Sequence, residues 1–332
     1  MPGSEISLNK QPRLIWTAKL PSPPNQLLSV NEESTLIASH RGELFIIDIK
    51  TGKHTGRIWQ PYNRPVNLLK LEREEGFLCF SSPGEEGVYA YDLIKAKKIW
   101  KIHLPGIYGN MEIIGDTLFV FKRSGAILTI DRKSGKILKE RTLSTRISWG
   151  VYRYQDRLWI YSEDGLLCSY DQTLKHKETF RIPSNPNPVI SVTGKKLVIG
   201  DSDGRITCFD LNQKRILFTK QLSTPIYSEP FITDSHLIVA QSNGNVTALN
   251  PVNGTSVWQY QGEGLVNQPL LGTSHQVIVP FTRGAIIALD LDSGKERWHY
   301  DLEHKLRQIL IVTDGIIVTE GKNKIHYLKS DT

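Results

Sequence analysis

The chain repeats itself roughly every 40 residues, and that period limits what it can fold into more than any other property. The repeat is clearest from Arg283 to Tyr300, RGAIIALDLDSGKERWHY. It contains a glycine turn, an alternating apolar strand ending at Asp290, a second turn at Ser293-Gly294 and a strand carrying Trp298. One period earlier stands NGNVTALNPVNGTSVWQY, and one before that DGRITCFDLNQKRILFTK. The turn-entering residues Asp48, Asp92, Asp131, Asp171, Asp210, Asn250 and Asp290 are spaced by 44, 39, 40, 39, 40 and 40 residues. They mark seven copies. An eighth half-copy runs from Asn323 to Lys329, with Asn323 in the glycine place and Lys329 in the acid place. It lacks the Trp strand, which Arg13-Leu14-Ile15-Trp16-Thr17 supplies from the other end of the chain.

Each copy reads as four short strands. In the sixth these are Pro230-Phe231-Ile232, His236 to Val239, Asn245 to Leu249 and Ser256 to Tyr260. Glycine closes the turn between second and third strands, where a hairpin needs positive φ. In the next turn, DxxxG in several copies, the acid can accept the following backbone amides. No βαβ pattern and no helical periodicity competes. The pattern predicts an all-β fold: an eight-bladed β-propeller of four-stranded antiparallel blades, the last blade closed by the N-terminal strand. A single blade cannot bury both its faces, so Trp16, Trp59, Trp100, Trp258 and Trp298 are expected to pack on the neighbouring blade. Phe218 replaces the Trp once, Phe180 lies one residue off the frame, and Lys139 makes the third copy the weakest docking point. Trp149 and Trp159 fall outside this column.

Eight units account for nearly all 332 residues, so the expected organisation is a lead over 1–12 and one propeller over 13–332. No apolar run is long enough for a membrane-spanning helix, and no secretory signal precedes Trp16. The chain as written is therefore placed in the cytoplasm by default. Cys79, Cys168 and Cys208 fall on strands at differing offsets from the turn acids and are expected to be buried small hydrophobes without a disulfide. The net charge of +7 is spread along the chain, with local groups only at the turns Lys95-Lys97-Lys98 and Lys175-His176-Lys177. It reads as solvated turn charge rather than a nucleic-acid surface.

Nothing in the sequence spells a catalytic or metal site. Asp201-Ser202-Asp203-Gly204 opens like a calcium loop but has no acid at the far position, and other copies place SHRG, SNG and TRG at the same turn. The histidines have no zincin spacing. Two sets of residues remain. First strands of a propeller line its channel, which makes Asn110, Glu112, Asn187, Glu229, Gln268 and Arg307 the channel-lining candidates. Arg41, Arg123, Arg205 and Arg283 lie at turns between second and third strands and are the partner-binding candidates, with Glu43, Glu163, Asp164, Asp201 and Asp203 among them.

The blade sentence, G-x-ϕ-x-A-ϕ-D-x-x-[ST]-G-x-x-x-W, as in RGAIIALDLDSGKERW and NGNVTALNPVNGTSVW, resembles the repeat of the PQQ (pyrroloquinoline-quinone) propeller family over essentially the whole chain. That family includes quinoprotein dehydrogenases, which bind the quinone and calcium at the axis. It also includes smaller BamB-like propellers of the outer-membrane β-barrel assembly machinery, which bind no cofactor. A tricarboxylate quinone wants several cations, whereas Arg307 faces Glu112 and Glu229 in the candidate set. The vicinal cysteine pair typical of many such dehydrogenases is also absent. The resemblance therefore implies a BamB-like, non-catalytic scaffold without cofactor, binding protein partners in the cell envelope if a signal has been trimmed. The alternatives are a PQQ-type redox enzyme or a binder of small ligands or glycans in the channel. No family residue is carried over to a position of this sequence.

Overall fold

The computed structural model describes residues 8, 10–58, 64–82, 87–182, 184–185 and 188–330, with backbone alone at 67–69, 82, 149 and 150. Trp59 and Asn187, and the side chain of Trp149, lie outside the described residues. Strands form eight four-stranded sheets, seven of them with neighbouring strands in chain order. The eighth takes Leu306–Val312, Gly315–Glu320 and Lys324–Lys329 from the C-terminus and Arg13–Lys19 from the N-terminus. The fold is an eight-bladed β-propeller with a split last blade. Its closing strand runs antiparallel with Arg13 opposite Lys329, Trp16 opposite Tyr327 and Lys19 opposite Lys324. The only helical element among the described residues is a three-residue 3-10 turn, Gly321–Asn323, and no helix is long and apolar enough to cross a membrane. The chain divides into two compact units, one of Met1–Thr35, Ile47–His54 and Pro188–Thr332, the other of Leu36–Ile46 and Thr55–Asn187.

Alternate residues of a strand point to opposite faces, and here both faces are apolar because each meets another blade. In the seventh blade Val277, Val279, Ile287 and Leu289 share a core with Ile238, Val246 and Trp258 of the sixth. Their neighbours Ile278, Ile286 and Ala288 share another with Ile309, Ile316 and Leu328 of the eighth. The same pattern joins the second blade to the third and the third to the fourth. The cores lie between blades. The three cysteines are buried and free within them, and desolvation pushes the Cys208 thiol up to about 12, which leaves it inert.

The turn acids hold their turns as the repeat suggests. Asp48 accepts the Thr51 amide at 2.7 Å, Asp131 that of Ser134 at 2.7 Å, Asp290 that of Ser293 at 2.8 Å, and Asn250 that of Val252 at 2.9 Å. The glycine that follows has a second reason to be glycine. Gly294 lies at φ 69°, and a Cβ there would stand 2.5 Å from the Trp258 ring of the preceding blade. Gly52 faces Trp16, Gly135 faces Trp100 and Gly254 faces Phe218 in the same way. The indoles complete the joint by donating to a backbone carbonyl beside that turn: Trp16 to Ile49, Trp100 to Arg132, Trp258 to Leu291, each at 2.8 or 2.9 Å. Where no described ring of the preceding copy faces the turn, the position is Ala96 (φ 51°), Leu174 (φ 62°) after Lys139, or Lys214 (φ 56°) after Thr179. Positive φ is met in both classes, so the ring is what selects glycine.

Three placements go beyond the sequence reading. Lys139 replaces the indole by donating from Nζ to the Thr173 carbonyl at 2.6 Å, beside Arg141, whose guanidinium donates to Leu174 at 2.7 Å. The third copy is thus joined by polar bonds where the others use a ring. Phe180 turns inward and stacks on the buried Trp159 of its own blade, with ring centroids 6.2 Å apart. In the lead, Leu8 is buried, and its carbonyl accepts from Trp298 Nε1 at 2.8 Å and Gln276 Nε2 at 2.7 Å.

Candidate functional site

The turns between second and third strands are built by a side-chain acceptor at their base. Ser39 Oγ accepts the Arg41 and Glu43 amides at 3.2 and 3.1 Å, and Asp201 Oδ1 accepts those of Asp203 and Arg205 at 3.0 and 2.9 Å. The Asp201 carboxylate is therefore a buried turn anchor, in keeping with the hairpin reading of DSDG. Glu43 is also buried and pairs with Arg57. Neither acid competes with an arginine at the turn surface.

The four candidate arginines occupy different steps of that turn. Arg41 and Arg283 directly precede the positive-φ Gly42 and Gly284, and their exposed side chains make no ion pair among the described residues. Arg123, two residues before Gly125, is engaged: its Nε lies 3.0 Å from Glu163 and its guanidinium 5.4 Å from the Tyr108 ring centroid. Arg205 follows Gly204 and opens the strand Arg205–Asp210, where it is half-buried.

Among channel-lining candidates, Asn110 is a structural tie. Its Nδ2 donates to the Val151 carbonyl at 2.7 Å and its Oδ1 accepts the Val151 amide at 2.8 Å. Glu112 pairs with Lys70 at 2.8 Å, a first-strand cation outside the set that the sequence pattern singles out. Glu229 is reached by water yet surrounded by protein, and desolvation raises its carboxyl above the usual range. Gln268 is half-buried and Arg307 exposed. A tricarboxylate does not fit this donor set. In the second unit Lys70 is already neutralised by Glu112, and in the first the candidates offer Arg307 with the acid Glu229.

The turn of the split blade carries a cluster that no repeat comparison exposes. Glu303, His304 and Glu320 bring potential ligand atoms within 4.8 Å of one another, and Lys324 and His326 also reach Glu320, at 3.3 Å each.

A family model described as outer membrane protein assembly factor BamB matches residues 183–309. The crystal structure of BamB from Moraxella catarrhalis superposes with a TM-score of 0.78 at 14% identity, covering 96% of this chain and 100% of that one. The chain matches that family model over this segment and has the propeller fold of BamB over nearly its whole length. The computationally designed Ika8 protein superposes with a TM-score of 0.80 at 12% identity, over 94% of this chain and 98% of that one. No curated protein matches the sequence. Since a designed chain takes the same architecture, BamB-like geometry alone carries no activity, and function has to be argued from the surfaces of this chain.

Proposed function

We propose that this BamB-like propeller is a non-catalytic scaffold that binds protein partners, working without a cofactor through the turns between second and third strands. The observation that carries the reading is the contrast between the two classes of turn. At the DxxxG turns the polar side chains are consumed in holding the blades. At the other turns Arg41 and Arg283 stand in solvent with guanidinium groups uncommitted among the described residues. An arginine fork pairs well with carboxylates and backbone carbonyls and is enriched in interfaces. The likeness to BamB over the full length of that protein supports the same reading. On this reading residues 13–332 act as one functional propeller, and the cell envelope is its place of work.

The test is charge reversal at each turn separately. Arg41→Glu and Arg283→Glu should each leave folding and melting unchanged, weaken capture of partner protein, and flatten the salt dependence of what remains. Undiminished capture by both folded variants would place the binding surface elsewhere.

A further inference from the structure

In the split blade Glu303, His304 and Glu320 bring potential ligand atoms within 4.8 Å of one another, and His326 reaches Glu320 from the last strand. Glu320 ends the strand Gly315–Glu320, and its side chain is 1% exposed. Its Oε2 accepts the His304 amide at 3.1 Å. Around Oε1 stand His304 Nδ1, His326 Nε2 and Lys324 Nζ, each at 3.3 Å. Glu320 Oε1, His304 Nδ1 and His326 Nε2 are buried without a hydrogen bond, so these atoms converge at contact distance off the lines that hydrogen bonds require. Ligands at about 2.0–2.1 Å from a tetrahedral zinc lie about 3.3–3.4 Å from one another. The two Glu320 to histidine separations match that edge. Glu303 Oε2, 4.0 Å from His304 Nδ1, offers a fourth, exposed ligand.

The surroundings fit the same reading. His326 Nδ1 lies 2.9 Å from Thr17 Oγ1 on the closing N-terminal strand. If Nδ1–H is donated there, the bare Nε2 faces the carboxylate, which is how an outer oxygen orients a metal-bound histidine. Lys324 Nζ, 2.7 Å from Glu303 and on a partly exposed side chain, is the cation now resting beside the acids, and it can swing into solvent. Two imidazole nitrogens with carboxylate oxygens favour zinc over calcium or magnesium, which take oxygen ligands.

We propose that His304, His326, Glu320 and Glu303 bind a divalent metal of the zinc class, with Thr17 positioning His326 and Lys324 as the cation displaced. The ion would tie together the loop before the blade, its hairpin and, through Thr17, the strand that closes it. The experiment is isothermal titration of chelator-treated protein with Zn²⁺, Ca²⁺ and Mg²⁺, together with the visible spectrum after Co²⁺ addition. One saturable Zn²⁺ site, the intense bands of tetrahedral Co²⁺ and no comparable Ca²⁺ or Mg²⁺ binding are expected. His304→Asn should abolish the site, Glu303→Gln should weaken it, and Thr17→Val should cost about ten- to a hundredfold in affinity. Lys324→Ala, which removes the competing charge, should tighten it. His304 and Glu303 are on the accessible side of the cluster, so their variants are informative even if Glu320 or His326 variants do not fold. Absence of saturable Zn²⁺ binding, or binding that survives His304→Asn as an adventitious ion elsewhere, would overturn the assignment.

Discussion

Replacing Gly294 with alanine, alone and together with Trp258→Ala, tests how the blades join. Alanine at φ 69° carries a left-handed penalty of about 1–2 kcal/mol. Its Cβ would also stand 2.5 Å from the Trp258 ring, and overpacking of this kind adds about 1–3 kcal/mol. Gly294→Ala should therefore cost about 2–5 kcal/mol in the intact protein. Trp258→Ala removes a buried indole and its bond to Leu291, at about 3–5 kcal/mol. In that background the ring is gone, and Gly294→Ala should fall to the backbone penalty of about 1–2 kcal/mol, a cost the fold already bears at Leu174 and Lys214. Denaturant unfolding of the four proteins gives the coupling directly, with an expected value of about 1–3 kcal/mol. Equal cost for Gly294→Ala in both backgrounds would refute the claim that the ring selects the glycine.

Further outcomes follow from the same structure. Deleting residues 1–20 removes the partner of Lys324–Lys329 and the Leu8 carbonyl that Trp298 uses, so the truncated chain should melt lower and aggregate; an unchanged melting profile would contradict the split blade. The Asp290 carboxyl is held below its usual range first by its bond to Arg297 and then by Ser293, so its folded pKa lies under the unfolded one. Its contribution is fully present above the unfolded value, about 3.9, and is lost as pH falls below it. Asp290→Asn, which copies the natural Asn250, should keep the turn and lower the acid sensitivity of unfolding, and identical pH profiles would tell against this. Addition of quinone with calcium should produce neither an absorbance change nor a melting shift; saturable stabilisation lost in Arg307→Ala would favour the redox alternative.

The blade count and the split closure are legible in the sequence because they follow from period alone. Asn323 can be read into the glycine place, and it does take positive φ, at 62°. The ring and glycine pairing is also present in the sequence, in the match of Trp16, Trp100, Phe218 and Trp258 with Gly52, Gly135, Gly254 and Gly294. Turn chemistry is a sufficient reason for those glycines until Leu174 and Lys214 are found at the same φ. Leu8 is a lone apolar residue in a polar lead, too little to announce a buried anchor. Proximity to glycine groups the four candidate arginines, whereas an offset of two residues from the place of Arg41 and Arg283 moves Arg205 from a turn into a strand. The Glu320 cluster draws on a loop, a strand end and the last strand of the C-terminal hairpin, with Thr17 added by the closing N-terminal strand, and its ligands have no motif spacing in the sequence.

The scaffold reading stands or falls on whether a protein touches the exposed arginine turns. A photo-crosslinking residue placed at position 283, in cells that make the protein, measures this most directly. Position 252 is the control, because Val252 is 59% exposed but sits on the other class of turn, anchored by Asn250. A discrete protein adduct from 283 and none of that mass from 252 is the expected result. No adduct at 283, or the same adduct from both positions, would contradict the account.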